Sequence, residues 1–435
     1  MRIRYLILSI LLGINAEIVK AQEKLDLNTA LILAVKNNYS ILLAKDSLSI
    51  AKNNNTYGNA GALPVISTNG GFTFSDNNIY QVFATSTTQK SGVISRNYTG
   101  NLGLNWVLFN GLKPFATKGR LNLLAHQGEL NVKVQMESTI SQVMRAYYNL
   151  IRAKQAIKVT EEAISIDDER IKIAQTKFKI GSGNKIDLLQ AKVDRNQQES
   201  QYISQKNNID SAKVLINQLL IRDLKTDFEP RDTDISIHYE PSWESLLDSA
   251  NHKNFQLKSA LNNIRISEFQ VKERKADLYP ILTGSAGYFY SLTESAAGFS
   301  LYNRAIGPQL GLNLSWNIFN GSIAKIKWEN SKISLDRSQY LYKNLYNTLQ
   351  ANLYSQFLSF QNSMSALHLE EENVLVAREN LSIALAKYRL GASSQLDLMT
   401  AEQSLVSSLN RLVQARFNAK QGEITLLQLS GNLLN

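Results

Sequence analysis

The sequence predicts a mixed α and β membrane protein, internally duplicated, in which long α-helical coiled coils adjoin transmembrane strands that several protomers pool into one β-barrel. Three observations carry this prediction. An eight-residue stretch, Leu104-Asn105-Trp106-Val107-Leu108-Phe109-Asn110-Gly111, returns 210 residues later as Leu314-Ser315-Trp316-Asn317-Ile318-Phe319-Asn320-Gly321. Four segments, 65–75, 97–109, 281–291 and 308–320, contain no charged residue. The prolines (Pro64, Pro114, Pro230, Pro241, Pro280, Pro308) leave 115–229 and everything after 308 free to be helix throughout.

The duplication reaches well beyond the repeated stretch. Lys177-Phe178-Lys179-Ile180-Gly181 and Ile186-Asp187-Leu188 match Lys387-Tyr388-Arg389-Leu390-Gly391 and Leu396-Asp397-Leu398 at the same offset. Ala62-Leu63-Pro64 meets Leu278-Tyr279-Pro280 at an offset of 216, so the second copy has a shorter loop between these flanks. A period this long is no solenoid repeat but a duplicated structural unit. The first repeat is 22–221, a proline-containing, charge-rich connection covers 222–242, and the second repeat is 243–435.

At the amino terminus Arg2 and Arg4 precede an apolar run from Tyr5 to Ile14, and Val19-Lys20-Ala21 suits cleavage before Gln22. Residues 1–21 read as an export signal, the run being shorter than the roughly 20 apolar residues a membrane anchor needs. The formal charge of +10 falls by two without that segment. Spread over long helices, it reads as solvated surface; no dense basic run interleaved with aromatics suggests nucleic acid. The chain has no cysteine, which removes disulfides, thiol nucleophiles and cysteine-bound metal.

Along the mature chain, Leu27, Ala30, Leu31, Ala34, Ile41 and Leu42 recur at helical spacing and predict a helix from Leu27 to about Tyr57. Its counterpart starts at Leu246, Leu247 and Ala250, and the prolines at 64 and 280 end both. Each copy then supplies a hairpin, 65–109 and 281–320, with strands about 11 residues long, enough to cross a bilayer at a tilt. Leu312, Leu314, Trp316 and Ile318 alternate with Asn313, Ser315 and Asn317, giving one apolar and one polar face. Charges at Asp76, Lys90, Arg96, Glu294 and Arg304 mark 76–96 and 292–306 as exposed loops, and Trp106 and Trp316 sit where interfacial aromatics belong. Long helical hairpins follow, 112–221 and 322–430, the second carrying Tyr342, Leu345, Leu349, Leu353, Phe357, Phe360, Met364 and Leu367 in steps of three or four. Four strands cannot close a barrel, and a bilayer tolerates no open edge, so protomers must share one: 8 strands in a dimer or 12 in a trimer.

The duplicated order of strands, Asn-Gly and long helices, with the turns Gly-Ser-Gly-Asn-Lys-Ile-Asp (181–187) and Gly-Ala-Ser-Ser-Gln-Leu-Asp (391–397), resembles the TolC-like outer membrane efflux protein family over essentially all of 25–430. The resemblance implies a homotrimer with a 12-stranded barrel in outer-membrane lipid, a periplasmic helical tunnel, and a passive conduit for efflux or type I secretion. It implies docking with a periplasmic adaptor and an inner-membrane pump of the RND, ABC or MFS type. It puts the adaptor at the turns containing Gly181, Ser182, Gly183, Gly391, Ala392 and Ser393. Asp187, Asp397 and Tyr388 would form the gate at the periplasmic tip. Ser393 and Thr400 depart from an arginine and a second aspartate that some relatives carry there.

The aspartates have a second reading. Asn184 to Asp187 and Ser394 to Asp397 have the spacing of a helix start, where an acid caps. Tyr388, on the other side of the turn, reads more readily as packing than as gate. The single, scattered histidines (His126, His238, His252, His368) and the lack of a phosphate loop or nucleophile elbow predict no enzyme, no metal and no cofactor. A soluble sandwich face and a coiled-coil adhesin or scaffold are the other structural readings; neither calls for four neutral strands.

Overall fold

The computed structural model describes residues 23–296 and 300–434, so the expected export signal lies outside the described residues. In chain order the elements are β1 (Glu23–Leu25), α1 (Leu27–Asn37), α2 (Tyr39–Asn54), β2 (Val65–Val82), β3 (Thr87–Phe109), α3 (Lys113–Lys179) and α4 (Lys185–Leu220). Then come β4 (Phe228–Pro230), α5 (Trp243–Lys253), α6 (Phe255–Ala276), β5 (Ile281–Ser295), β6 (Tyr302–Ser315), α7 (Ile323–Arg389) and α8 (Gln395–Ser430). The repeat is visible in the lengths: α3 and α7 are each 67 residues, α4 and α8 each 36.

The chain forms two compact units, and neither is one of the sequence repeats. One takes Ala44–Val132 and Phe255–Asn347; the other takes the chain up to Leu43, Lys133–Asn254 and everything from Thr348.

The first of these units holds a four-stranded sheet of order β2-β3-β5-β6, with all neighbours antiparallel. Register sorts its residues cleanly, because directly opposed residues share a face. Ile66, Leu104, Ala286 and Leu310 lie in one row, Phe72, Tyr98, Leu292 and Arg304 in another, and Tyr290 beside Ile306 between them. Apart from charged residues such as Arg96, Glu294 and Arg304 toward the end of the sheet near the β5–β6 connection, this face is apolar and exposed, Leu310 being 83% accessible and Leu312 75%. The opposite face carries rows such as Asn69, Asn101, Phe289 and Gly307, or Ser67, Gly103, Gly287 and Gln309: mostly Ser, Thr, Asn and Gly.

Two expectations need correction here. The segments 76–96 and 292–306 are mostly strand, so the four strands are 18, 23, 15 and 14 residues long. Charge does not force a loop where it finds a cross-strand partner, and Arg96 pairs with Glu294 at 3.7 Å in directly opposed positions. In the second copy the strand ends at Ser315 rather than reaching 320. Trp316 leaves the ladder and donates from Nε1 to Leu278 O at 3.3 Å; Trp106 makes the equivalent bond to Ala62 O at 2.9 Å.

Below the strands Gly111 and Leu112 both have positive φ (66° and 65°), as do Gly321 and Ser322 (66° and 64°). At Gly111 a Cβ would stand 2.9 Å from Ala276 O, so this position needs glycine for space as well as for conformation. Helices α2 and α6 support α3 and α7: Asn262 Nδ2 donates to Leu123 O at 3.0 Å, Arg120 pairs with Glu273 at 2.8 Å, Lys52 pairs with Glu129 at 3.1 Å, and the Ser267 and Ser338 hydroxyls lie 2.9 Å apart.

The second unit is helical apart from β1 and β4, a short parallel pair that the sequence did not announce within 222–242. Leu25 and Phe228 from this pair are fully buried among Ala30, Ala34, Val143, Leu150, Ile216 and Leu220. Tyr147 Oη donates to Asp232 Oδ2 at 2.9 Å and lies 3.1 Å from Leu25 O, tying the connection to α3. The single helix expected over 27–57 is two, broken at Asn38, and Asn254 breaks the second copy in the same way. On α7, Leu353, Phe360, Leu367, Val374, Leu381 and Tyr388 are buried in strict steps of seven. That is the 3.5-residue period of a coiled-coil seam, in which each buried large side chain contributes about 1.5–3 kcal/mol. Among the described residues no helix is long and apolar enough to cross a membrane.

Candidate functional site

The two turns that join the long helices face one another at one end of the helical unit. Each is built by the same local rules. Gly181 and Gly391 take φ of 78° and 74°, and the following residues close the helix ends: Ser182 N donates to Lys177 O and Ala392 N to Lys387 O, both at 2.9 Å. Gly183 is demanded by space, since a Cβ there would approach Lys177 Cβ to 2.7 Å. Cross-links join the turns: Gln395 Nε2 donates to Asp187 O at 3.0 Å, and Lys177 Nζ donates to Tyr388 O.

The aspartates differ in circumstance. Asp397 completes a capping box, accepting from Ser394 N at 2.9 Å while its own N–H donates to Ser394 Oγ at 3.2 Å. The bonds from Ser394 hold its carboxyl below the usual aspartate range. At the other turn Asn184 caps alone through Ile186 N at 3.0 Å, and Asp187 stands partly exposed in the first turn of α4. Tyr388 is the last member of the α7 seam, 3% exposed, with Lys177 Nζ 3.9 Å from its ring centre. Burial first, and then the charge of Asp187, push its hydroxyl above the usual tyrosine range. Thus Asp187 and Tyr388 are brought together, while Asp397 is held in its cap.

Of the other positions singled out, Ser393 has a buried Oγ with no hydrogen-bond partner among the described residues, and Thr400 Oγ1 donates back to Leu396 O at 2.9 Å. Gly181, Ser182, Gly391 and Ala392 are exposed, and around them Ile180, Ile186, Leu189, Leu390 and Leu396 present apolar side chains to solvent. Trp106 and Trp316 are partly exposed and anchor the strand ends in the sheet unit.

A cluster that sequence reasoning missed lies deeper along the same helices. Arg170, 1% exposed, donates from Nη2 to Asp167 Oδ1 at 2.7 Å and to Asp194 Oδ2 at 2.5 Å, and its Nη1 lies 3.4 Å from Glu402 Oε2. The signal was available: Thr139, Ala146, Ala153, Thr160, Asp167 and Ala174 are buried in steps of seven, so an acid occupies a seam position otherwise given to small residues.

A sequence description of outer membrane efflux proteins matches residues 30–220 and 246–432, once in each repeat. The chain belongs to the outer membrane efflux protein family. Similar members of known role are the alkaline protease secretion protein AprF of Pseudomonas aeruginosa, 23% identical over 74% of this chain and 67% of that one. The outer membrane protein TolC of Escherichia coli is 19% identical over 70% and 64%, and the proteases secretion protein PrtF of Dickeya chrysanthemi 20% identical over 100% and 93%. The chain thus spans about two thirds of the length of AprF and TolC. In fold it is similar to the outer-membrane channel OprN (TM-score 0.79, 18% identity, covering 93% and 90%) and to VceC of Vibrio cholerae (0.76, 18%, 93% and 96%). As an outer membrane efflux protein it resides in the outer membrane, and its sheet unit is the part suited to lipid.

Proposed function

We propose that this protein is the outer-membrane channel of an efflux or type I secretion system: a passive trimeric conduit whose periplasmic entrance is gated at the two helical turns. The observation that carries this reading is the sheet, with one exposed, largely apolar face, an opposite face of neutral polar residues, and two edges that have no ladder partner among the described residues. That is the alternation of a strand between lipid and a water-filled lumen. Energy comes from partners, a periplasmic adaptor and an inner-membrane pump. The exposed Ile180, Ile186, Leu390 and Leu396 around the turns give an adaptor apolar ground to cover.

At the entrance Asp187 and Asp397 are the gate acids, and Tyr388 supports them from the seam rather than lining the opening. The double substitution Asp187→Ala, Asp397→Ala loosens the tip and raises single-channel conductance in a planar bilayer. An unchanged conductance in a folded trimer assigns both acids to capping alone; an impermeable wild-type trimer refutes the conduit.

A further inference from the structure

The buried charges around Arg170 are an odd feature in a coiled coil, where taking ions from water costs several kcal/mol each unless they are fully paired. Here one guanidinium meets three carboxyls from three helices: Asp167 of α3, Asp194 of α4 and Glu402 of α8. The pairing is incomplete. Asp167 Oδ2 and Glu402 Oε2 are both buried without a hydrogen-bond partner of ordinary length among the described residues, yet the two carboxyls adjoin one another. A proton between them supplies what each oxygen lacks.

Nor is the cluster a by-product of the duplication. At the matching offset of 210 the second repeat has Ala377 for Asp167, Asn380 for Arg170 and Ser404 for Asp194, while the first-repeat counterpart of Glu402 is Lys192. Three of the charges come from the first repeat and Glu402 from the second, and the duplication supplies no mirrored copy of them. They also adjoin the tip. Ile166 and Ile173, on either side of Asp167 and Arg170, pack on the cluster of Leu381, Tyr388, Leu398 and Leu405, and Glu402 lies five residues along α8 from Asp397. Arg170 sits close enough for its charge to act on the Tyr388 hydroxyl.

We propose that Asp167, Arg170, Asp194 and Glu402 form a proton-holding clamp that positions the tip: one proton shared by Asp167 and Glu402 keeps α8 seated on α3, and its loss releases the turns. This rests on the gate reading above. The charged groups facing the pair are Arg170 and Asp168 on α3 and Asp194 on α4, with Tyr388 of α7 beyond Arg170; Asp168 is itself bonded by Arg195 Nε at 3.3 Å.

The sign follows from the environment. Burial first, and then the charge of Asp167, raise Glu402 to about 8. A carboxyl whose folded value lies above its unfolded one stabilises fully below the ordinary glutamate range and loses that contribution as pH rises through the folded value. With the proton, the cluster holds Arg170 against two net carboxylate charges; without it, against three. Alkaline conditions therefore loosen the clamp.

The test compares wild type with Glu402→Gln, which keeps the uncharged shape, in detergent-solubilised full-length protein. Hydrogen exchange of 171–190 and 380–400 is followed from about pH 6.5 to about pH 9.5, with conductance read over the same range. In wild type, protection beyond the intrinsic pH effect falls by up to about tenfold per pH unit up to about 8 and levels off above it, and conductance rises over the same range; in E402Q both stay level. Protection that is flat in wild type, or falls equally in E402Q, overturns the clamp. Protection that falls only in wild type while conductance does not move supports the clamp and overturns the gate at the tip. If E402Q does not assemble, Asp167→Asn tests the same pair with the same outcomes.

Discussion

Asn38 and Asn254 each end one helix, begin the next and donate to the last turn of a third. Asn38 Nδ2 reaches Leu219 O at 3.3 Å, and Asn254 Nδ2 reaches Leu429 O at 3.0 Å. Their backbone N–H groups close α1 and α5 on Ala34 O and Ala250 O at 2.9 and 3.2 Å. A helix end leaves four carbonyls without partners, so a buried amide donor placed there satisfies what the chain cannot. Asn254 is 4% exposed. Asn254→Ala is expected to cost about 1–2 kcal/mol, read as a lower melting midpoint in detergent. Asn254→Asp, although isosteric, costs more, because a carboxylate offers only acceptors to the Leu429 carbonyl. If the aspartate variant melts above the alanine variant, the donor role is wrong. This break was invisible in the apolar spacing of 27–57, because Asn in a helical run is tolerated and its partners lie about 180 residues away.

At the scale of elements, what could be read from sequence was what is local and periodic. The steps of three and four from Tyr342 onward are the α7 helix, and the proline-free intervals hold the four long helices. Strand phase was equally plain, since alternation of Leu312 and Leu314 with Asn313 and Ser315 needs no partner to be seen. Strand ends were not legible. They depend on whether Arg96 has Glu294 across the ladder and whether Trp316 turns back to Leu278, facts of pairing rather than of composition. The turns of the candidate site were legible as Gly-x-Gly or Gly-x-Ser before an N-cap, but the contacts between them, Gln395 to Asp187 and Lys177 to Tyr388, join residues more than 200 apart. The seam makes a prediction of its own. Leu353 is fully buried, whereas Leu390 at the tip is 85% exposed. Leu353→Ala should cost about 2–5 kcal/mol in thermal unfolding, while Leu390→Ala leaves the melting midpoint unchanged and weakens only adaptor binding. Equal destabilisation by the two would mean that the tip is structural packing and not a docking surface.

For the whole molecule, the decisive feature is the sheet's two open edges. Among the described residues β2 pairs only with β3 and β6 only with β5, so the outer side of each has no ladder partner. In water such an edge is a liability; in hydrocarbon each unsatisfied backbone group costs several kcal/mol, and β6 alone is 14 residues long. The chain cannot cure this by itself, because four strands are too few to close. A second copy can. The strands alternate in direction, so β6 of one protomer meets β2 of the next antiparallel, and a head-to-tail contact of this kind closes into a ring. Three copies give the 12 strands that the family resemblance implies, and they turn every Leu310 and Leu312 outward to lipid while the Ser, Thr and Asn rows line the inside. The prediction is a mass of three protomers when the mature protein is extracted from the outer membrane in mild detergent and measured by light scattering, with the detergent's share subtracted. Two protomers would mean an eight-stranded barrel, whose interior side chains nearly fill, and the conduit would fail for want of a lumen. A monomer released without detergent would place the apolar face against protein rather than lipid, and the sheet would be a soluble sandwich half.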